Sequence, residues 1–186
     1  MLEKIPHAVG AALSGLKAGL EKTAYRTSFA EVPEGLSLSS LAFTDGTPMP
    51  ARFTADGTGA SPPLAWTGLP PGTARVVILC EDAGSPTPSP LVHLIAWNLD
   101  PGAPLAEGAA SQAASGLDLG KNSFLKPGWL PPDPPTGHGP HAYLFQAYAL
   151  DRALELPEHP GRGALLEAMS GRVRAKGCLA GLYERP

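Results

Sequence analysis

Proline and glycine, with 22 residues each, divide this chain into short apolar runs, and that spacing limits the folds it can adopt. Proline fixes φ and lacks a backbone donor, whereas glycine permits turns that other residues cannot make. A helical bundle does not tolerate so many interruptions, but short strands joined by rigid turns do. The pattern therefore predicts a loop-rich, mainly β protein.

Strand signals recur at short intervals after residue 35, and one helix follows them. The main predicted strands are Leu36–Phe43, Arg75–Asp82, Leu91–Leu99 and His141–Leu150, and the weaker ones are Pro50–Phe53, Leu64–Trp66 and Cys178–Tyr183. An apolar stripe predicts a helix within Gly161–Arg174, with Gly177 as its stop. We expect two antiparallel sheets packed as a sandwich, with Greek-key-like connections and small peripheral helices.

Composition narrows the class of protein further. The chain has 186 residues, 43% of them hydrophobic and 17% charged, which suits one globular domain with a substantial core. A net charge of −3 gives no basic footprint for nucleic acid. No apolar run reaches the ~18 residues of a membrane span. The two cysteines, Cys80 and Cys178, imply no disulfide framework, and we expect a cytoplasmic protein.

Residues 2–22 carry apolar side chains at helical spacing and predict an additional N-terminal amphipathic helix. Three glycines within it cost about 1 kcal/mol each in helix propensity, so we expect it to need a partner surface. That surface is either its own domain, a second subunit in a homodimer, or a membrane surface contacted peripherally. We divide the chain into an N-terminal helix and connector, 1–35, and a β domain, 36–186.

Four polar residues fall at predicted strand ends beside rigid turns. His141 and Tyr143 share one face of a strand that follows the Pro/Gly loop 134–140, because side chains alternate with period two. Asp82 ends one strand and His93 begins the next, so all four are expected in one pocket. A contact from Asp82 would orient the His93 ring and raise its pKa. Backbone N–H groups of Gly137–Gly139 would add donors for an anion.

Several segments together resemble the phosphatidylethanolamine-binding protein family, in its bacterial branch of Raf-kinase-inhibitor-like proteins. The resemblance extends over Leu36–Tyr183 and rests on Phe53–Gly57, Ser61–Trp66, Glu81–Pro86 with His93, and Pro134–Phe145. It implies a site for phosphate-like anions or phosphoethanolamine head groups. The implied ligand-binding residues are Asp82, His93, His141 and Tyr143, with Pro86, Pro134 and Pro135 as walls. It implies no catalytic residue, no metal and no cofactor.

The chain departs from the family pattern at one position that matters for the ligand. Gly84 stands where the family has a second acid, so a carboxylate that could hold an amine is missing. This change favours a simple anion over a zwitterionic head group. We also expect a cis bond at Ser85–Pro86 or a neighbouring proline, because a sharp link between strands is needed there.

Other aromatic residues are assigned more simply. Trp66 and Trp97 are expected in the core, and Trp129 is either a core residue or a lip of the pocket. His138 is expected to brace its loop or to meet solvent.

Three functions are compatible with these features. The favoured one is a non-enzymatic binding module for a small phosphate-like or carboxylate anion, such as a head group or a phosphorylated partner. The second is a metal-assisted hydrolase with Asp82, His93 and His141 as ligands, although no HExxH or CxxC pattern is present. The third is a kinase or protease inhibitor that contacts a protein partner through its surface, with the N-terminal helix as the candidate surface.

Overall fold

A computed structural model describes residues 7–111 and 116–185. Its main feature is one large sheet built on four long strands. Two α-helices lie near the ends of the described chain, α1 (His7–Leu13) and α2 (Arg162–Met169). The strands are β1 (Ser37–Ser39), β2 (Thr47–Pro48), β3 (Ala65–Thr67), β4 (Arg75–Asp82), β5 (Leu91–Leu99), β6 (Asp118–Leu119), β7 (His141–Leu150) and β8 (Val173–Tyr183).

The strands form two sheets of unequal size. β1 pairs with β3 alone, and the other six strands are ordered β2-β8-β7-β4-β5-β6. The prediction of a mainly β fold with two sheets and few helices is confirmed. Fully antiparallel pairing is wrong, because β2 runs parallel to β8. A sandwich with Greek-key-like connections stays a prediction.

The central strands are apolar on both faces because both faces of the large sheet are covered. On one face Val76, Ile78 and Cys80 of β4 belong to a core that includes the β1–β3 sheet. On the other face Val77 and Leu79 belong to a second core, which α2 and the segment 24–32 complete. Each fully buried side chain of this kind stabilises the fold by roughly 1.5–3 kcal/mol. The strand ends at the pocket are therefore held by a rigid sheet.

Three long strands have the predicted bounds, whereas two predictions nearer the N-terminus were less accurate. β4, β5 and β7 match the prediction residue for residue. Leu36–Phe43 contributes only β1, Ser37–Ser39. Pro50–Phe53 is not a strand but a 3₁₀ turn, because the Phe53 amide donates to Pro50 and the Phe53 side chain is buried beneath the turn.

β8 is longer than predicted and begins inside the predicted helix. α2 ends at Met169, and Gly171, with a φ of 72°, provides the left-handed residue that stops it. Gly177 is not a helix stop. It lies within β8, where a Cβ atom would be 2.0 Å from the carbonyl oxygen of Leu36. A glycine is needed there because another stretch of backbone passes over the strand.

The N-terminal helix is shorter than predicted. α1 covers His7–Leu13, and residues 2–6 of the prediction lie outside the described residues. Beyond Leu13 the chain passes the turn that follows β4. There the amides of Ala18 and Gly19 donate to the carbonyl oxygens of Ser85 and Ala83. The predicted apolar stripe is not buried: Val9, Leu16 and Leu20 are 46%, 58% and 48% exposed. Backbone hydrogen bonds, with added bonds from Lys17 and Lys22 to the carbonyl oxygens of Pro140 and Pro88, connect this segment to the domain.

Both cysteines are free thiols, with Cys80 buried in β4 and Cys178 exposed in β8. Within residues 7–111 and 116–185, no helix has the length and apolar character that crossing a membrane requires. The cytoplasmic location stays a prediction.

Candidate functional site

Three neighbouring strands bring the four predicted polar residues together at one end of the large sheet, where β4 ends and β5 and β7 begin. Asp82 is the last residue of β4 and pairs in register with Tyr143 of β7. His141 begins β7, and His93 lies near the start of β5. All four side chains line one cavity, so the predicted convergence is observed.

The cavity is small and mostly apolar at its rim. It encloses about 30 Å³, which is room for a water-sized group. Of the predicted walls, Pro86 and Pro134 line it, but Pro135 does not. Sequence reasoning missed its other lining residues: Ser85, Leu91, Phe124, Leu130, Pro131 and Asp133.

The close partner of Asp82 is His141 and not His93 as predicted. Nδ1 of His141 lies 2.8 Å from Oδ2 of Asp82, whereas Nε2 of His93 lies 4.0 Å from the same oxygen. The other carboxylate oxygen of Asp82 accepts a hydrogen bond from the Gly84 amide. The acid therefore orients the first residue of β7 and leaves His93 to be positioned by another group.

His138 neither meets solvent nor simply braces its loop. Its ring is buried and hydrogen-bonds with His141, with Nδ1 of His138 2.8 Å from Nε2 of His141. Nε2 of His138 donates to the carbonyl oxygen of Leu13, at 2.9 Å. Burial, followed by the neighbouring His141, lowers the pKa of His138. The chain of contacts thus runs from Asp82 to the end of α1.

His93 is positioned by a pair of hydrogen bonds to the segment that covers it. Its Nδ1 lies 2.7 Å from the carbonyl oxygen of Leu130, and the Leu130 amide donates to the carbonyl oxygen of His93, also at 2.7 Å. The other ring nitrogen, Nε2, is buried without a hydrogen-bond partner. The pKa of His93 is lowered, because burial outweighs the nearby carboxylate of Asp82. The predicted rise in this pKa is therefore wrong.

Tyr143 presents a second unpaired polar atom in the same cavity. Its hydroxyl is buried and has no hydrogen-bond partner. The Tyr143 ring meets the His93 ring edge-on, with centroids 5.0 Å apart. Burial, together with the charge of Asp82, raises the pKa of Tyr143 well above its usual range, so the hydroxyl keeps its proton. Two side chains that line the cavity, Tyr143 and His93, therefore each carry a buried polar atom without a hydrogen-bond partner.

The turn that follows Asp82 is formed without any cis peptide bond. Ser85 Oγ donates to the carbonyl oxygen of Asp82 and also contacts Thr87 Oγ1. Residues 83–91 contain only trans bonds, so the predicted cis proline is wrong. The side-chain hydrogen bonds of Ser85 and Thr87 make the link sharp enough with trans geometry.

Two of the three predicted backbone donors in the loop before β7 are already engaged within the protein. The Gly137 amide donates to the carbonyl oxygen of Arg185, and the His138 amide donates to Pro135. These N–H groups therefore hold the loop in shape and are not available to an anion. The Arg185 side chain adds to this by contacting Asp133 and the carbonyl oxygen of Pro134.

Trp129 is a core residue behind the site and not a lip of the cavity. Its ring stacks on Phe145 and its Nε1 donates to the carbonyl oxygen of Phe53. Trp66 and Trp97 are also buried, as predicted. The exposed part of the rim is Phe124, which is 47% exposed.

The predicted metal ligands do not have the arrangement of a metal site. Among residues 7–111 and 116–185, no group of three His, Cys, Asp or Glu side chains could hold a metal ion. Both ring nitrogens of His141 are engaged in hydrogen bonds, to Asp82 and to His138. A metal needs a free imidazole nitrogen, so His141 could serve as a ligand only by breaking this chain.

Comparison with known proteins identifies the family. The model of the phosphatidylethanolamine-binding protein family matches residues 39–184. The UPF0098 protein PH1269 of Pyrococcus horikoshii is 38% identical over 154 residues, which are 81% of this chain and 77% of that protein. The chain therefore belongs to the phosphatidylethanolamine-binding protein family.

Two solved structures have the same fold. The phosphatidylethanolamine-binding protein homologue CT736 of Chlamydia trachomatis superposes with a TM-score of 0.74 at 35% identity, covering 82% of this chain and 99% of that one. YbcL of Escherichia coli, described as a member of the mammalian PEBP family, gives a TM-score of 0.75 at 24% identity with the same coverage. At that identity the likeness to YbcL concerns the fold alone.

Proposed function

We propose that this chain is a binding protein without catalytic activity, whose cavity takes the polar end of a small phosphate-like or carboxylate anion. The anion is either a free ion, a phosphoethanolamine-type head group or a phosphorylated partner. The residues proposed to hydrogen-bond with it are His93 and Tyr143, with Asp82 and His141 as the paired polar wall behind them and Pro86 and Pro134 as apolar walls.

The unpaired atoms of His93 and Tyr143 carry this proposal. A buried polar atom without a partner costs roughly 1–3 kcal/mol, so such atoms are rare in folded proteins. Here two of them, His93 Nε2 and the Tyr143 hydroxyl, belong to side chains that line one cavity. A ligand that hydrogen-bonds with both atoms would remove that cost. The free protein would then be less stable than the protein with its ligand bound.

The charges around the cavity are compatible with an anion. The carboxylate of Asp82 is paired with His141, and that of Asp133 is paired with Arg185. The two acids in the wall are therefore offset by two basic side chains. Two unpaired acids would repel an anion, whereas acids that are paired with basic side chains repel it much less.

The size of the cavity limits how much of a ligand enters it. With about 30 Å³ inside, the enclosed part fits one or two ligand atoms, and the remainder must lie against the rim. The rim offers apolar contact from Pro86, Leu91 and Phe124. A head group or a phosphorylated side chain, with carbon atoms next to the phosphate, would use both regions.

Titration calorimetry with inorganic phosphate tests the proposal. Wild-type protein is expected to bind, and Tyr143→Phe to bind about tenfold or more weakly, because one hydrogen bond to a charged ligand is lost. Tyr148→Phe is the matched control: it removes a buried hydroxyl from the same strand, but one that contacts Gln146 on the opposite face. Equal affinity of the two variants would contradict the assignment, and no heat with phosphate or acetate would contradict the function.

A further inference from the structure

The hydrogen-bond partner of His93 fixes which of its ring nitrogens can receive a ligand. Nδ1 faces the carbonyl oxygen of Leu130 at 2.7 Å, and a carbonyl oxygen can only accept. Nδ1 therefore carries the hydrogen in the neutral ring. Nε2 is left with a lone pair, so it is an acceptor and not a donor.

The surroundings of His93 favour this neutral state. The ring is 4% exposed, and burial lowers its pKa. Asp82 opposes that effect from 4.0 Å, while His141 adds to it. The remaining neighbours, Trp129 and Tyr143, contact the ring as aromatic groups without a charge. Protonation of Nε2 is therefore disfavoured near neutral pH.

The other polar groups of the cavity define what else the ligand must offer. Both carboxylate oxygens of Asp82 already accept hydrogen bonds, from Gly84 and from His141. The Tyr143 hydroxyl is protonated and unpaired. The cavity thus presents one unpaired acceptor, His93 Nε2, beside one unpaired donor, the Tyr143 hydroxyl.

A fully deprotonated oxyanion does not complement this pair of atoms. Sulfate and carboxylates offer only acceptors near neutral pH, and would set a lone pair against the lone pair of His93. An oxyanion with a hydroxyl of its own donates to Nε2 and still accepts from Tyr143. Resting on the anion-binding function proposed above, we infer that the cavity selects phosphate that carries a P–OH group over sulfate, carboxylates and fully ionised phosphate esters.

The first test compares three anions on the wild-type protein at pH 7 by titration calorimetry. Inorganic phosphate retains at least one P–OH group at this pH, whereas sulfate has none. Methyl phosphate, a monoester with a second pKa of about 6, is mostly the dianion without a hydroxyl. Inorganic phosphate is expected to bind at least about tenfold more tightly than sulfate and several-fold more tightly than methyl phosphate.

The outcomes separate this inference from the function on which it rests. Equal affinities for phosphate and sulfate would overturn the selection rule and leave the anion-binding function intact. Methyl phosphate binding as tightly as inorganic phosphate would also overturn the rule and point to an esterified head group. Failure of all three anions and of acetate to bind would overturn the proposed function itself.

Two variants locate the selectivity. His93→Asn keeps a side-chain N–H near the position of Nδ1, and so the bond to Leu130, but removes the acceptor at Nε2. Its preference for phosphate over sulfate is expected to fall to about twofold or less. Tyr143→Phe is expected to weaken both anions alike and keep the preference. A preference that survives in His93→Asn, or disappears only in Tyr143→Phe, would contradict the role of His93.

A spectroscopic measurement on the wild-type protein is independent of both variants. The ¹⁵N chemical shifts of the His93 ring are expected to report the neutral form, with hydrogen on Nδ1, before and after phosphate is added. Conversion of the ring to imidazolium on binding would mean that the protein and not the ligand supplies the proton, and would overturn the inference.

Discussion

Nε2 of His141 lies 2.8 Å from Nδ1 of His138, so two buried imidazole rings share one hydrogen bond at the edge of the site. His138 donates its other N–H to Leu13 and therefore, when neutral, accepts from His141. The other ring nitrogen of His141, Nδ1, lies 2.8 Å from Oδ2 of Asp82, so His141 joins the acid to His138. A buried chain of hydrogen bonds therefore connects the acid of the site to Leu13, the last residue of α1.

Loss of His138 is expected to loosen the N-terminal segment. His138→Phe keeps a ring but removes the bonds to His141 and Leu13, which is expected to lower the free energy of unfolding by about 1–3 kcal/mol. Amide hydrogen exchange at Ala18 and Gly19 should become faster, because these residues follow Leu13 in the segment that the bond from His138 to Leu13 holds. His159→Phe is the control, since His159 bonds to Leu119 away from the site. Unchanged exchange at both amides would show that the chain of contacts does not hold this segment.

Stability is expected to decrease as the pH falls below about 6.5, the usual pKa of histidine in an unfolded chain. Burial lowers the pKa of both His93 and His138, so the unfolded protein binds protons that the folded protein does not. This destabilisation grows as the pH falls from 6.5 towards the lowered values. The carboxyl of Asp56, whose pKa Arg185 lowers, adds a loss only near or below pH ~4.

Urea unfolding at about pH 7.5 and pH 5.5 measures this effect. His93→Asn removes one of the two titrating groups and is expected to lose less stability between these pH values than the wild type. An equal or larger loss in His93→Asn would contradict the assignment to His93.

The sequence predicts the central strands well because the apolar run that defines each strand is visible in the local sequence. β4, β5 and β7 are near-continuous apolar runs, and a strand buried on both faces needs such a run. β8 could not be bounded in the same way, since Gly177 resembles a helix stop. Its actual constraint is the backbone of Leu36, which lies far away in the sequence.

The site was predictable where it depends on strand ends and was missed where it depends on distant segments. Asp82, His93, His141 and Tyr143 stand next to turns that the sequence marks. The hydrogen bond between His138 and Leu13 joins residues 125 positions apart, and no local sequence pattern predicts it. The pairing of Asp82 with His141 in place of His93 depends on how the strands pair, which the sequence does not encode locally.

A side chain at position 84 requires a shift of His141, because Gly84 lies directly against it. A Cβ at Gly84 would lie 2.6 Å from Cα and 2.8 Å from Cγ of His141. Gly84→Ala and Gly84→Asp are expected to displace His141 from Asp82 and to destabilise the fold by about 1–3 kcal/mol. Both should weaken phosphate binding in titration calorimetry.

Gly163→Ala is the matched control for that change. Nothing lies within 4 Å of a Cβ at this position in α2, so alanine is expected to stabilise the helix by up to about 1 kcal/mol. A Gly84→Ala variant as stable as wild type, with His141 ring resonances unchanged, would show that the turn moves aside without strain.

Arg185 is expected to hold the loop that forms one wall of the cavity. Its guanidinium donates hydrogen bonds to both carboxylate oxygens of Asp56. It also donates to one carboxylate oxygen of Asp133 and to the carbonyl oxygen of Pro134. Arg185→Ala removes these hydrogen bonds and is expected to lower the free energy of unfolding by about 1–3 kcal/mol. The pKa of Asp56 should rise towards its usual value, because Arg185 is the main cause of its lowering. A carboxyl-detected NMR titration measures that pKa directly.

Arg152→Ala provides the comparison, since this arginine is largely exposed and forms its ion pair with its neighbour Asp151. Its removal is expected to change stability by less than about 0.5 kcal/mol. Phosphate affinity should fall in Arg185→Ala and stay constant in Arg152→Ala, because only Arg185 contacts the loop of Asp133 and Pro134. If Arg185→Ala raises the pKa of Asp56 but leaves phosphate binding unchanged, the loop keeps its shape without the arginine, and the wall of the cavity is set by its prolines alone.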